Sequence, residues 1–355
     1  MDDRPTPLDG LRREIDLALD AALDRLLPRV AAHHAALGPV ADAVRGFVAG
    51  GKRIRPALLL LGFEAAGGQD RRTVHGPALA LELLHTFALV HDDVIDRASS
   101  RRGRPTVHRG FAELHAAAGW QGDSAAFGEA AAILVGDLAF VHADELFLSA
   151  EVPDDRLLRA LRHYTALREE VMVGQFLDLH AATSRTTDRD LALTVATLKS
   201  GRYSVARPLE IGAVLADADD RLCEGLVAFG DPLGRAFQVR DDLLGVFGRE
   251  DATGKSTWSD LAEGKRTLLV AEAAARLGDG GRARLEAGLG DTGLDPAGAD
   301  ELRELLESSG AREAAESYVE AAVAEAEAAL GELDLPPDAA AVLAEVAAYL
   351  GNRST

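Results

Sequence analysis

The hydrophobic periodicity of this chain constrains it most. Apolar residues recur three and four positions apart over long stretches, from Leu8 to Ala49 and again from Leu157 to Ala182, and no segment shows the alternation of a half-buried strand. An all-α fold follows. Breaks such as Gly50-Gly51, Gly67-Gly68, Gly103 to Pro105, Gly119 to Gly122 and Gly288 to Gly298 separate about a dozen expected helices. Asp154 and Asp188 stand where two of these would begin, because a carboxylate there accepts hydrogen bonds from free first-turn amides. With 355 residues the chain could hold about two domains. Its loops are short, though, and none is a Ser/Gly linker, so a single domain over residues 1–355 is expected, built as one large helical bundle.

Charge narrows the partners. The 38 basic and 58 acidic residues leave a formal charge of -20, which argues against nucleic acid or an anionic membrane as the main partner. The single cysteine, Cys223, excludes an internal disulfide framework and a cysteine-built zinc site, and fits a reducing compartment, so a cytoplasmic location is expected. Met-Asp-Asp-Arg-Pro at the start lacks the basic-then-apolar run of a signal peptide. No stretch approaches the ~18 uninterrupted apolar residues of a membrane span. From Ala273 on there are 17 acidic residues, 6 arginines and no lysine, which reads as the solvated face of acidic C-terminal helices over residues 271–355.

Chemistry concentrates in two aspartate clusters. The first lies in His85-Thr-Phe-Ala-Leu-Val-His-Asp-Asp-Val-Ile-Asp96, followed by Arg101-Arg102-Gly103-Arg104-Pro105-Thr106. Helical spacing puts Asp92 and Asp96 one turn apart on the same face and turns Asp93 about 100° away. Such a run, taken alone, is shared by metal sites and by ordinary exposed acidic helix ends. Phe237-Gln-Val-Arg-Asp-Asp-Leu-Leu-Gly245 repeats the logic: Asp241 and Asp242 end an apolar helix, and Lys255, Lys265 and Arg266 follow. Oxygen ligands without cysteine point to a hard cation, magnesium before calcium, shared between carboxylates and the oxygens of a diphosphate that nearby Lys and Arg also hold. The segment Gly248 to Ser256 imitates a phosphate-binding P-loop, but five residues separate its glycines where that motif has four, and no strand precedes it.

These residues resemble the trans-isoprenyl diphosphate synthase (polyprenyl synthetase) family, over roughly Gly50 to Leu268. Gly51-Lys52-Arg53-Ile-Arg55-Pro56, His85, the run from Asp92 to Thr106, Gly174-Gln175-Phe-Leu-Asp178, Lys199-Ser200-Gly201, Phe237-Gln238 to Asp242, Gly254-Lys255 and Asp260 to Lys265 occur in family order. The resemblance implies a type I isoprenoid synthase fold, a helical bundle around a central cavity with a motif-bearing core at about 45–270, and a homodimer. It implies three magnesium ions bound with substrate through Asp92, Asp96 and Asp241, and an allylic diphosphate held by Arg101, Lys199, Gln238 and Lys255. Lys52, Arg55, His85 and Arg102 would hold isopentenyl diphosphate, with Asp93, Gln175, Asp178, Ser200, Asp242 and Lys265 in support. Departure of diphosphate would leave an allylic carbocation, which the double bond of isopentenyl diphosphate attacks before a proton is lost.

Two departures stand out. Ser200 replaces the usual threonine, which keeps the hydroxyl, and Gly245 stands where the second motif commonly ends in aspartate. Within the resemblance, Phe87 and the small Ala88, five and four residues before Asp92, form a chain-length floor of the kind that favours the twenty-carbon geranylgeranyl product, with farnesyl diphosphate as the alternative. A terpene cyclase would have no use for Lys52, Arg55 and Arg102. A non-catalytic subunit of a heteromeric synthase would be expected to have lost its aspartates, which this chain keeps.

Overall fold

The structure, a computed structural model, describes residues 8–248, 258–291 and 293–351. Helices dominate, as the periodicity requires. The chain divides into two compact units, one comprising Leu8–Leu60 and Gln69–Leu157, the other Leu61–Gly68 and the chain from Leu158 on.

In the first unit α1 (Asp9–Ala31), α2 (Gly38–Val48) and the start of α3 (Ile54–Ala65) precede α4 (His75–Ile95). Residues 77–84 of α4 are buried on every side, so this helix forms the unit's axis. α5 (Val107–Ala117) and α6 (Ser124–Phe147) complete it, with α6 packed against both α4 and α5. Asp123 caps α6 by accepting from the amides of Ala125 and Ala126. One small departure from the all-helical expectation is a hairpin after α4, in which Ser100–Arg101 pairs antiparallel with Arg104–Pro105. Its two loop residues, Arg102 and Gly103, have φ of 51° and 72°, the left-handed pair that a two-residue hairpin loop demands.

The second unit is carried by α7 (Asp154–Ser184), α8 (Arg189–Val195), a π-helical segment (Ala196–Ala206), α9 (Arg207–Leu215) and the long α10 (Asp220–Phe247). Asp188 and Asp219 cap α8 and α10. α10 buries Leu226, Phe229, Leu233, Phe237, Leu243 and Val246, each contributing about 1.5–3 kcal/mol by leaving water. The lone thiol, Cys223, is buried on the same helix, and burial pushes its pKa up to about 11. Then follow α11 (Ser259–Glu263), α12 (Leu268–Arg276), α13 (Asp279–Gly288), α14 (Pro296–Ser308), α15 (Ala311–Gly331) and α16 (Pro337–Gly351). Leu285, Leu302, Leu306, Ala315 and Val319 pack with Leu243 and Val246 of α10, while Glu301, Glu304 and Glu307 remain outside.

Candidate active site

At the C-terminal end of α4 the three aspartates lie where the helix dipole is already negative, so they raise the local cost of charge unless a cation offsets it. Asp92 and Asp96 are half-buried one turn apart, and the amide of Asp96 donates to the carbonyl of Asp92 at 2.8 Å. Asp93 turns inward, with only 1% of its side chain exposed. It accepts a bidentate pair of hydrogen bonds from Arg101, Nη2 to Oδ1 at 2.7 Å and Nε to Oδ2 at 3.0 Å. Burial would weaken the Arg101 charge, but Asp93 holds its pKa above the ordinary value. The hairpin thus delivers Arg101 back to the aspartates, with Nη2 4.0 Å from Oδ2 of Asp92.

A basic nest adjoins this end of the helix. Burial, together with the charges of Arg55, Arg101, Arg102 and Arg53, drives the His85 pKa well below its usual value, so the ring is neutral at pH 7 and donates or accepts without adding charge. Burial likewise lowers Arg102, with Arg101 and Arg53 acting in the same direction. The loop before α3 passes within van der Waals contact of these cations. A Cβ on Gly51, at φ 105°, would sit 3.6 Å from Nη2 of Arg102 and 3.5 Å from Nη1 of Arg53. Arg53 itself is buried and committed, donating to Glu82 at 2.6 Å, Asp16 at 2.8 Å and the Val48 carbonyl at 2.9 Å. Its neighbours Lys52 and Arg55 are exposed and half-buried.

Phe87 and Ala88 are half-buried on α4. The Phe87 ring lies 4.5 Å from that of His91 and 4.9 Å from that of Phe140 on α6. His91 Nε2 stands 3.1 Å from the carbonyl of Ile133, and its ring occupies the space that a Cβ on Gly136 would need.

In the second unit the π-helical segment carries Lys199 and Ser200. Lys199 Nζ donates to Asp178 Oδ2 at 2.6 Å, and Gln175 lies half-buried one turn before Asp178 on α7. Gly174 permits that approach, since a Cβ there would fall 2.4 Å from the Lys199 backbone nitrogen. On α10 the Gln238 amide donates to Asp242 Oδ1 at 2.6 Å. Burial, reinforced by Asp260 and Asp241 against the pull of Gln238 and Lys265, lifts the Asp242 pKa to about 8. Lys265 meets Asp260 at 2.7 Å and Glu263 at 2.9 Å, which keep it charged despite its burial. Lys255 lies outside the described residues.

Each aspartate cluster offers only oxygen donors, the donor chemistry of a hard divalent cation, and the upward pull of burial on Asp242 is of the kind that nearby positive charge offsets. Among the described residues no three His, Cys, Asp or Glu side chains are gathered as a metal-holding group by themselves. Asp260, to which the sequence assigns no separate role, packs against α10, where a Cβ on Gly245 would fall 2.2 Å from its Oδ2.

Comparison with known proteins supplies the context. Residues 39–307 match the model of the polyprenyl synthetase family. A (2E,6E)-farnesyl diphosphate synthase of Mycobacterium tuberculosis is 38% identical over 307 residues, 85% of this chain and 80% of that protein. A geranylgeranyl diphosphate synthase of Methanosarcina mazei is 37% identical over 257 residues, 72% of each. The crystal structure of a geranylgeranyl pyrophosphate synthase from Corynebacterium glutamicum, complexed with isoprenyl diphosphate and magnesium, superposes with a TM-score of 0.93 at 34% identity, covering 98% of this chain and 99% of that one.

Proposed function

Since the chain belongs to the polyprenyl synthetase family, whose members are prenyltransferases, we propose that it condenses isopentenyl diphosphate with allylic diphosphates in a magnesium-dependent reaction, ending at geranylgeranyl diphosphate. The observation that carries this reading is the basic nest of Arg55, His85, Arg101 and Arg102 beside Asp92 and Asp96, because a site for two diphosphates needs cations in addition to acids.

Asp92, Asp96 and Asp241 would hold magnesium, which when bound supplies positive charge to the departing diphosphate. Arg101, oriented by Asp93, and Lys199, oriented by Asp178, would donate to the allylic diphosphate, a role we also assign to Gln238 and Lys255. Lys52, Arg55, Arg102 and the neutral His85 take the diphosphate of isopentenyl diphosphate. Gln175, Ser200, Asp242 and Lys265 support these groups. Phe87, backed by His91 and Phe140, is the floor that stops growth at twenty carbons, with Ala88 leaving the space beside it open.

The relatives include both a farnesyl and a geranylgeranyl synthase, so chain length rests on Phe87, and a fifteen-carbon product is the second reading. We read the chain as a cytoplasmic single domain acting as a homodimer. α6 supports the dimer, as Phe127, Leu134, Val141 and Leu148 recur every seventh residue and are all exposed. By length and composition α6 is also apolar enough to cross a membrane, although no run in it is uninterrupted: Glu129, Asp137 and Asp144 punctuate it. Pairing with a second copy covers the stripe without placing those acids in lipid.

Incubation with magnesium, isopentenyl diphosphate and the five-, ten- or fifteen-carbon allylic diphosphate tests the reading. A twenty-carbon alcohol after dephosphorylation is expected from each, and longer products from Phe87→Ala. A fifteen-carbon stop moves the floor, and no product from any starter overturns the enzyme in favour of a silent subunit.

A further inference from the structure

The π-helical segment Ala196–Ala206 closes its last turn with the Arg207 amide donating to the Arg202 carbonyl, a bond that spans five residues. The side chains of the same two residues meet one carboxylate. Glu170, on α7 and only 15% exposed, accepts from Arg202 Nη1 at 3.1 Å and from Arg207 Nη2 at 2.6 Å and Nε at 2.9 Å. In an α-helix, residues five apart point about 140° away from each other, whereas in the wider π-helix they return to nearly the same side. A carboxylate shared by Arg202 and Arg207 therefore matches the π register.

Two further features bear on the same turn. Arg202 also forks onto Asp231 of α10, Nη2 at 3.0 Å and Nε at 3.2 Å, and so ties α7 to α10. Pro208 has no amide to give the Ser204 carbonyl four residues back, a bond that an unbroken α ladder would need.

α7 meets the segment at three positions spaced four apart, which lie on one face of that helix. Glu170 takes the arginines, Gly174 lets the Lys199 backbone approach, and Asp178 accepts from Lys199 Nζ at 2.6 Å. A change of helical register between Lys199 and Arg207 would rotate the lysine about the axis of the segment and carry its ammonium off Asp178.

We propose that Glu170 is a positioning residue for prenyl transfer: by binding Arg202 and Arg207 together it keeps this segment π-helical, and so keeps the Lys199 ammonium where it meets the allylic diphosphate. The inference rests on the reading of Lys199 as a donor to that diphosphate.

Steady-state kinetics with each substrate varied in turn test this. Glu170→Gln keeps the shape of the side chain but loses its charge and one of its two acceptor oxygens, and KM for the allylic diphosphate is expected to rise roughly tenfold with KM for isopentenyl diphosphate unchanged. A purely structural defect would lower the active fraction and move neither KM. Added to Lys199→Ala, Glu170→Gln is expected to raise the allylic KM no further, since both act on one contact. Arg202→Lys leaves the Arg207–Glu170 pair and a charge for Asp231, is expected to show the same split between the two substrates, and decides the matter should the glutamine variant not fold. An unchanged allylic KM in either folded variant, or a further rise on top of Lys199→Ala, overturns the proposal. If Lys199→Ala alone leaves the allylic KM untouched, the reading of Lys199 fails and the proposal falls with it.

Discussion

Three adjacent cations show how differently like residues are used. Lys52, Arg53 and Arg55 are equal members of one basic run in the sequence, yet Arg53 spends its guanidinium on Glu82, Asp16 and a carbonyl, and only its neighbours are left facing outward or half so. Nothing local marks the middle one, because its partners come from α1 and α4. The aspartates were more legible. Helical spacing alone separated Asp92 and Asp96 from Asp93, and the structure turns Asp93 inward onto Arg101. The charges that must be offset at the departing diphosphate predict that Asp92→Ala or Asp241→Ala lowers kcat/KM by roughly two orders of magnitude or more, with little change in the unfolding temperature. Steady-state kinetics and thermal unfolding of each variant check this, and near-normal turnover in either would remove that residue from the cation site.

Along the elements, the helical class and several starts could be read from apolar spacing and from Asp188 and Asp154, the latter now the first residue of α7. The π-helical stretch could not. An apolar repeat over eleven residues barely distinguishes one helical pitch from another, and this segment packs closely against α10. A Cβ on Gly234 would fall 2.5 Å from the Gly201 Cα, and one on Gly230 2.6 Å from the Ala206 Cα, so α10 crosses the segment backbone to backbone. That contact positions Lys199 two residues before the crossing. Gly234→Ala is therefore expected to destabilise the protein by about 1–3 kcal/mol and to raise KM for the allylic substrate, read by denaturant unfolding and kinetics. Full stability in that variant would show that the two backbones can separate freely.

For the whole molecule, composition speaks only to the charge of a partner, while the surface that would meet another copy needed coordinates. The periodicity of α6 is apolar on more than one side, and only burial separates the stripe of Phe127, Leu134, Val141 and Leu148 from the core residues Ala132, Val135, Ala139 and Ala143. The parent is expected to sediment as a dimer and a double Leu134→Glu, Val141→Glu variant as a monomer. Because each copy carries a formal charge of -20, the parent's association should strengthen with added salt. Unchanged sedimentation of the variant would assign the stripe to another use.

The lone buried thiol of Cys223 also gives the protein an internal clock. With its pKa pushed up to about 11 there is almost no thiolate at pH 8 in the closed state, whereas an opened chain exposes an ordinary thiol that alkylates readily. Mass gain during incubation with iodoacetamide should therefore count openings around the start of α10 one molecule at a time, with no engineered label. Magnesium and diphosphate, if they brace the acidic end of the same helix, should slow the clock.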